Sequence, residues 1–173
     1  GYAPKDALIF AAGAGEAGLD FFEQPVMGGD LDAMCACAKA SAIPIGADEG
    51  LHSLDDIRRH HELGAAGGGS LKLIKFGGTG ELMRASRLMA ELGMKINLAG
   101  KAANTSIGAA AAAQIALAVP SLDWDISMSS QYLADDVVTQ PIAIDDGHIV
   151  TPMDGPGLGI QVDEDKIAQY RRV

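Results

Sequence analysis

The sequence is short of basic residues and has no long apolar run, and each shortage excludes a class of protein. Its 173 residues include 13 lysines and arginines against 23 aspartates and glutamates, which gives a net charge of −10. Nucleic acid is therefore not an expected partner, because phosphates attract lysine and arginine. Neither a charged-then-apolar leader nor an apolar run of about 18 residues is visible, so we predict no signal peptide and no membrane span.

Cysteine is also scarce, and the two that occur, Cys35 and Cys37, stand two positions apart. On a helix they would point about 200° apart, so neither a disulfide nor a shared metal is expected. We therefore expect a reducing, cytoplasmic location. The composition, 48% hydrophobic and 21% charged, is that of a soluble globular domain with a real core.

Apolar segments and turn signals alternate along the chain in a β/α pattern. We predict strands over 19–23, 42–48, 70–72, 94–98 and 122–126, and helices over 4–17, 30–40, 54–63, 80–92 and 103–118. The short connections call for parallel strands with right-handed crossovers. The tail differs, because Asp145-Asp146-Gly147-His148 predicts a hairpin and the residues from Asp163 onward predict one closing helix.

Five β/α units are too few to close an eight-stranded barrel, which takes about 250 residues, and the chain opens on a helix. We therefore predict an α/β fold that forms the C-terminal part of a TIM-type (β/α) barrel. Residues 1–131 would be the partial barrel, and residues 132–173 a tail that packs back on the barrel or on a capping domain. A five-stranded doubly wound domain is the alternative. The glycine-dense stretch 64–69 approaches a strand instead of leaving one, so it does not indicate nucleotide binding.

Charged residues stand where three successive strands are predicted to end. Glu23, Asp48 and Lys72 are separated by 25 and 24 residues, the spacing of one charged residue per β/α unit. Because the carboxyl ends of parallel strands meet at one edge, we expect these side chains to gather around one centre. Two carboxylates with a third oxygen donor suit Mg²⁺ or Mn²⁺. A lysine across from such a cation could move a proton.

These residues lie in segments that resemble a known family. The chain resembles the C-terminal barrel half of the enolase superfamily, in the muconate lactonizing enzyme/mandelate racemase group, through four segments in the same order: Phe22-Glu23-Gln24-Pro25, Pro44-Ile45-Gly46-Ala47-Asp48-Glu49, Leu71-Lys72-Leu73-Ile74-Lys75-Phe76-Gly77-Gly78 and Pro156-Gly157-Leu158-Gly159. The resemblance implies that Glu23 and Asp48 are the second and third metal ligands. It also implies that Lys72 is the acid/base lysine of the sixth barrel strand and that Lys75 is a supporting residue.

The family's remaining site residues have no counterpart in the 173 residues. They are the first ligand, an aspartate expected just before Gly1, and a Lys-x-Lys that carries the opposing acid/base. The N-terminal capping domain has no counterpart either. We expect the same protein to supply these parts and to form a homo-oligomer. A different class of function stays open, in which the chain is a non-catalytic barrel fragment that assembles with a partner chain.

The implied reaction is removal of the proton alpha to the carboxylate of a small substrate, through an enolate that a divalent cation stabilises. Racemization, epimerization and dehydration follow from it, and muconate-type cycloisomerization is the alternative. Asp123 and Asp125 resemble an Asp-x-Asp pair that meets a substrate amino group in dipeptide epimerases, whereas residues 127–131 lack the acid found there in cycloisomerases. These features favour an amino-acid-like substrate, such as a proline derivative or a dipeptide. Glu49 is either an orienting partner of a ligand or a solvated loop acid.

Overall fold

The structure is a computed structural model that describes residues 1–151 and 154–171. The chain forms two compact units. The first contains residues 1–98 and 119–125, and the second contains residues 99–118 and 126–173. This division does not follow the predicted boundary at residue 131, and positions 152, 153, 172 and 173 of the predicted tail lie outside the described residues.

Four short strands give the first unit its parallel sheet. They are β1 (Phe22–Glu23), β2 (Ile45–Ala47), β3 (Gly68–Leu71) and β4 (Lys95–Ala99). They pair in parallel in chain order, with Glu23 opposite Gly46 and Ala47 opposite Gly69. The predicted parallel arrangement is confirmed. Because every strand runs the same way, the residues that follow the strands lie at one common edge.

Helices alternate with these strands. They are α1 (Pro4–Gly13), α2 (Leu31–Ala40), α3 (Leu54–Glu62), α4 (Leu73–Phe76) and α5 (Thr79–Glu91). Caps fix where two of them begin, since Asp30 Oδ1 accepts a hydrogen bond from Ala33 N at 3.0 Å and Ser53 Oγ accepts one from Asp56 N at 3.1 Å. Apolar side chains from helices and strands, among them Met34, Ile45, Ile57, Leu82 and Ile96, are fully buried.

Several local predictions differ from the structure. The strand predicted over 122–126 is a strand over Ile126–Ser127, and the helix predicted over 103–118 spans Ser106–Ala116. The helix predicted over 4–17 ends as an α-helix at Gly13, and residues 14–17 form a 3₁₀ turn closed by Gly18 in the left-handed region. The strand predicted over 70–72 ends at Leu71, and Lys72 is an extended residue that precedes the short helix α4. Lys72 therefore lies just beyond the end of the strand, where the chain turns into α4.

The amino-terminal end of these strands is filled by aromatic rings. Phe21 and Trp124 stack with ring centroids 4.1 Å apart and an interplanar angle of 8°. A Cβ atom built on Gly46 would lie 3.2 Å from the Trp124 ring, and one built on Gly68 would lie 2.6 Å from it. A side chain at position 68 would therefore overlap the indole and Lys95 O, so glycine is required there, whereas one at position 46 would be in tight contact with the Phe21 and Trp124 rings.

The second unit contains α6 (Ser106–Ala116), β5 (Ile126–Ser127) and α7 (Glu164–Tyr170). The predicted hairpin is present as β6 (Ile144–Asp145) paired antiparallel with β7 (His148–Ile149). The closing helix is also present, with Asp163 Oδ1 accepting a hydrogen bond from Lys166 N at 3.1 Å. Buried alanines of α6 pack with Ile142 and with partly buried apolar residues of the tail, namely Met128, Ile149, Leu158 and Ile160.

A buried carboxylate explains why α6 groups with the tail. Asp136 is only 4% exposed, and its Oδ2 accepts hydrogen bonds from Ser106 N at 2.9 Å and from Ser106 Oγ at 2.7 Å. The same hydroxyl accepts one from Ile142 N at 2.9 Å. A tail residue therefore caps the start of α6, a role that a neighbouring side chain usually performs. In the described part of the chain, every helix is too short or too polar to cross a membrane.

Candidate metal and acid-base site

Three predicted site residues occupy equivalent places in consecutive β/α units of the first unit. Glu23 ends β1, Asp48 directly follows β2, and Lys72 directly follows β3. The strands are parallel and adjacent, so the three residues lie at the carboxyl end of the sheet. The local sequences fit this placement, because each strand is a short apolar or glycine-containing run that the charged residue terminates.

Asp48 is the centre of the hydrogen-bonded cluster. Its Oδ2 lies 2.6 Å from Lys72 Nζ, and its Oδ1 lies 2.7 Å from Lys75 Nζ. Lys75 Nζ also donates to the carbonyl oxygens of Asp48 and Ser70, both at 2.7 Å. Lys75 is therefore fixed by three acceptors, whereas Lys72 has one acceptor among the described residues, the other carboxylate oxygen of Asp48. Of the two lysines, Lys72 needs to break fewer bonds to reach a substrate.

Burial separates the two lysines as well. The Lys75 side chain is 8% exposed, and that of Lys72 is 21% exposed. Burial lowers the pKa of Lys75, although the hydrogen bond and the charge of Asp48 act in the opposite direction. Burial alone would raise the pKa of Asp48, but the hydrogen bonds from Lys72 and Lys75 outweigh it and hold that pKa below its usual value. Asp48 is thus an ionised carboxylate at neutral pH.

Glu23 belongs to a second chain of hydrogen bonds. Ser70 Oγ is hydrogen-bonded to Glu23 Oε1, and it lies 3.0 Å from Asn97 Oδ1. The Asn97 amide in turn donates to the carbonyl oxygens of Trp124 and Asp125, both at 2.9 Å. Ser70 and Asn97 are buried, with 1% and 4% exposure, so they tie an exposed carboxylate to the interior of the sheet.

The two chains of hydrogen bonds meet at Ser70. Its hydroxyl contacts Glu23, and its carbonyl oxygen accepts from Lys75, which holds Asp48. The structure therefore brings Glu23, Asp48, Lys72 and Lys75 together. Glu49 follows Asp48 but is exposed, and it takes no part in the hydrogen bonds of this cluster.

Asp123 and Asp125 lie elsewhere. Asp123 Oδ2 accepts hydrogen bonds from Ile96 N at 3.2 Å and from Ser121 Oγ at 2.9 Å, beside the start of β4. Both aspartates line a small cavity of about 240 Å³ with Asp20, Phe21, Lys95 and Trp124. This is the amino-terminal end of the strands, opposite the carboxyl-end cluster. Both aspartates precede β5, so they lie before the strand and not at its carboxyl end. This placement does not support the expected contact of the pair with a substrate amino group.

The carboxylates fit a hard divalent cation in kind. Glu23 and Asp48 offer the oxygen donors that Mg²⁺ and Mn²⁺ prefer, at neighbouring strand ends. Within residues 1–151 and 154–171, no three histidine, cysteine, aspartate or glutamate side chains form a group that could hold a metal ion. The described residues thus place two carboxylates at neighbouring strand ends, the positions for which the resemblance implies two ligands.

Sequence reasoning missed three buried polar residues of the site. Gln24 accepts hydrogen bonds from Asp48 N at 2.8 Å and Gly50 N at 3.1 Å through its Oε1 atom. Ser70 and Asn97 link Glu23 to the sheet. A usable signal was present for the latter two, because each is a polar residue inside a predicted apolar strand, and a buried polar group must find a partner.

Comparisons with known proteins agree with the fold of this chain. The family described as "Enolase C-terminal domain-like" matches residues 1–166. A chloromuconate cycloisomerase of Cupriavidus pinatubonensis is 34% identical over 160 residues, covering 90% of this chain and 42% of the relative. An o-succinylbenzoate synthase of Geobacillus stearothermophilus is 32% identical over 158 residues, covering 90% of this chain and 41% of the relative.

A solved structure gives the same result for the fold. The muconate lactonizing enzyme of Pseudomonas fluorescens, complexed with muconolactone, superposes with a TM-score of 0.91 at 28% identity, covering 99% of this chain and 46% of that one. The chain thus spans less than half the length of these relatives, and its parallel half-barrel matches their C-terminal part. From the extent of the family match and the superposed fold, we conclude that this chain belongs to the enolase C-terminal domain-like family.

Proposed function

We propose that this chain carries the acid-base lysine and two cation ligands of an enzyme that removes the proton alpha to a substrate carboxylate. The observation that carries the proposal is the pairing of Lys72 with Asp48 at 2.6 Å, at adjacent strand ends and beside Glu23. In this proposal Glu23 and Asp48 hold a divalent cation, Mg²⁺ or Mn²⁺. When bound, the cation would stabilise the negative charge that develops on the substrate carboxylate.

The proposed roles of the two lysines follow from their contacts. Lys75 stays bound to three oxygens, so it orients Asp48 and offsets its charge throughout the reaction. Lys72 has one partner and a partly exposed side chain, so it can leave Asp48 and take or return a proton at the alpha carbon. Each Asp48 carboxylate oxygen accepts a hydrogen bond from one lysine, so a bound cation would compete with these ammonium groups for Asp48.

For the overall reaction, the comparisons favour muconate-type cycloisomerization, which stood as the alternative in the sequence. The similar proteins include chloromuconate and muconate cycloisomerases. In such a lactonization a carboxylate oxygen adds to a carbon–carbon double bond, and a proton is then delivered alpha to the other carboxylate. Asp123 and Asp125 lie away from the proposed site, which weakens the case for an amino-acid-like substrate. Racemization or epimerization of such a substrate, and dehydration, are therefore the second candidates.

The first test asks whether Lys72 transfers the proton. In the complete protein, Lys72→Ala should abolish exchange of the alpha proton of muconolactone with solvent deuterium, followed by NMR, while the fold is retained. Lys39→Ala is the matched control, because Lys39 is an exposed lysine in the last turn of α2. Unchanged exchange in Lys72→Ala would contradict the proposal. If the unchanged protein exchanges the alpha proton of other carboxylic acids but not that of muconolactone, the second candidates would be favoured.

The second test asks whether Asp48 holds a cation. In the complete protein, Asp48→Asn should weaken Mg²⁺ binding by about 10-fold or more in calorimetry, since a hard cation loses an ionised ligand. Asp55→Asn is the control, because Asp55 is an exposed aspartate whose partner is Arg58 on the same helix. Equal Mg²⁺ affinity in the Asp48 variant and the control would contradict the assignment.

A further inference from the structure

Gln24 has a backbone and a degree of burial that are unusual for a glutamine. Its φ is 37°, in the left-handed region that non-glycine residues rarely occupy. Gln24 is only 7% exposed, and it lies between the end of β1 and Pro25. A strained and buried polar residue persists only where its surroundings hold it in place, and such residues cluster at functional sites.

The Gln24 side chain connects three parts of the first unit. Its amide nitrogen donates to Val26 O at 3.0 Å and lies 3.6 Å from Met34 Sδ on α2. Its amide oxygen accepts from Asp48 N at 2.8 Å and from Gly50 N at 3.1 Å. The side chain therefore uses both of its polar atoms, and its oxygen is committed to the segment that carries Asp48.

The backbone around Gln24 leaves little room for that segment to move. A Cβ atom on Gly28 would lie 2.7 Å from Glu49 O, so the segments after β1 and after β2 pack backbone against backbone. On its other side, the segment after β2 meets the buried ring of His60, whose Nε2 would lie 2.9 Å from a Cβ atom on Gly50. The segment after β2 is thus held by close packing on both sides, and the two hydrogen bonds to Gln24 Oε1 add a directional contact.

From these contacts we infer that Gln24 is a positioning residue for the two carboxylates of the site. Glu23 precedes it in the chain, and the Asp48 amide is bonded to its side chain, so one residue sets the placement of both proposed ligands. The inference rests on the proposed cation site and deepens it. Gln24 itself does not touch the cation, and its effect passes through the backbone of Asp48.

The main experiment measures amide hydrogen exchange and Mn²⁺ binding in the complete protein with Gln24→Met. Methionine keeps the length and the contact with Met34 but offers no oxygen to the two amides. Exchange at Asp48 and Gly50 should become at least about 10-fold faster, since both amides lose their acceptor. The Mn²⁺ dissociation constant should rise about 10- to 100-fold, the usual effect of losing an outer partner of a metal ligand.

Control variants separate positioning from general stability. Ser86→Ala removes a buried side-chain hydrogen bond on α5, from Ser86 Oγ to Met83 O, away from the site. It should lower the Tm while leaving Mn²⁺ affinity and the two amides unchanged. Gln24→Glu keeps an acceptor oxygen and should leave the two amides protected. Should Gln24→Met not fold, Gln24→Asn, which withdraws the oxygen by one methylene, is expected to show the same faster exchange.

Three outcomes decide the inference. Unchanged exchange at Asp48 and Gly50 in Gln24→Met would overturn it. A loss of Mn²⁺ affinity in Ser86→Ala as large as in Gln24→Met would also overturn it, because the effect would then be general destabilisation. If the unchanged protein binds no Mn²⁺, the proposed cation site fails, and the exchange of the two amides then decides the positioning role by itself.

Discussion

The two ends of the parallel strands in the first unit are built from opposite chemistry. At the carboxyl end, four charged side chains and three buried polar ones form a continuous network of hydrogen bonds, consisting of Glu23, Asp48, Lys72, Lys75, Gln24, Ser70 and Asn97. At the amino end, the Phe21 and Trp124 rings stack over Gly46 and Gly68. The carboxyl end is held by directional hydrogen bonds, whereas around these two rings the amino end is held by close packing.

The difference shows where this sheet can carry chemistry. At the amino end, the Trp124 ring packs so closely on Gly68 that no side chain fits there, so this contact provides rigidity. The hydrogen-bonded end contains groups that can exchange partners, Lys72 above all, because it has one bond to break. In parallel β/α proteins the carboxyl end of the strands holds the active site, and the other end serves stability. Substitutions at the two ends should therefore separate folding from proposed function.

The largest effect is expected from Gly68→Ala at the amino end. The added methyl group would overlap Lys95 O and lie 2.6 Å from the Trp124 ring, so ring and backbone must shift. We expect a loss of about 3 kcal/mol in the free energy of unfolding, measured in urea, because overpacking forces strain into a dense core. Gly13→Ala is the control, since a Cβ atom there meets nothing within 4 Å, and it should be neutral or slightly stabilising. Equal effects of the two variants would contradict the aromatic filling of this end.

A smaller loss of stability is expected from Lys75→Met at the carboxyl end. The change removes three hydrogen bonds and leaves Asp48 with Lys72 as its remaining lysine partner. We expect a loss of about 2 kcal/mol in the free energy of unfolding, less than for a fully orphaned charge because Lys72 stays. A loss below that of the exposed control Lys39→Ala would show that the network adds no stability.

The same variant should change the response to acid. The lysines hold the pKa of Asp48 below its unfolded value, so its contribution to stability is present above about pH 4 and is lost as the pH falls through the lowered pKa of the folded state. Without Lys75 that pKa rises, and the acid transition in metal-free unfolding curves should move to higher pH. An unchanged transition would mean that Lys72 alone sets the pKa of Asp48.

The smallest effect is expected from Trp124→Phe. Trp124 Nε1 is buried and makes no hydrogen bond with any residue that the structure describes. Phenylalanine removes that unpaired donor, which offsets part of the packing lost with the smaller ring. We expect a change of at most about 1 kcal/mol in the free energy of unfolding, with cation affinity unaltered. A clear change in cation affinity would show that the two ends are coupled and would break the comparison.

Much of the fold could be predicted because its local signals agree with its tertiary structure. The charged residues Glu23, Asp48 and Lys72 each end one β/α unit, and parallel pairing brings such residues to one edge. The hairpin at residues 144–149 followed from its turn residues. The short helix α4 was not predicted, since four residues after a strand leave no periodic signal.

The partners of these residues could not be read from the chain. Asp48 is bonded to Gln24, Lys72 and Lys75, which lie 24 to 27 positions away in sequence. Asp123 and Asp125 match a motif letter by letter, yet the register of the chain beside β4 puts them at the amino end of the strands. A motif specifies residue types. Whether those residues lie at the amino or the carboxyl end of a strand depends on where the strand begins, and β5 begins only after Asp125.

The sequence by itself determined the order of strands and helices and the placement of one charge per unit, because hydrophobic period and turn chemistry are local properties. Tertiary structure decided which lysine is held by three oxygen atoms and which is held by one ion pair. Lys72 and Lys75 are three residues apart and equal in charge, but only Lys75 is buried against three oxygen atoms. That distinction arises from the desolvation and hydrogen bonding that the neighbouring strands impose, and no local pattern encodes it.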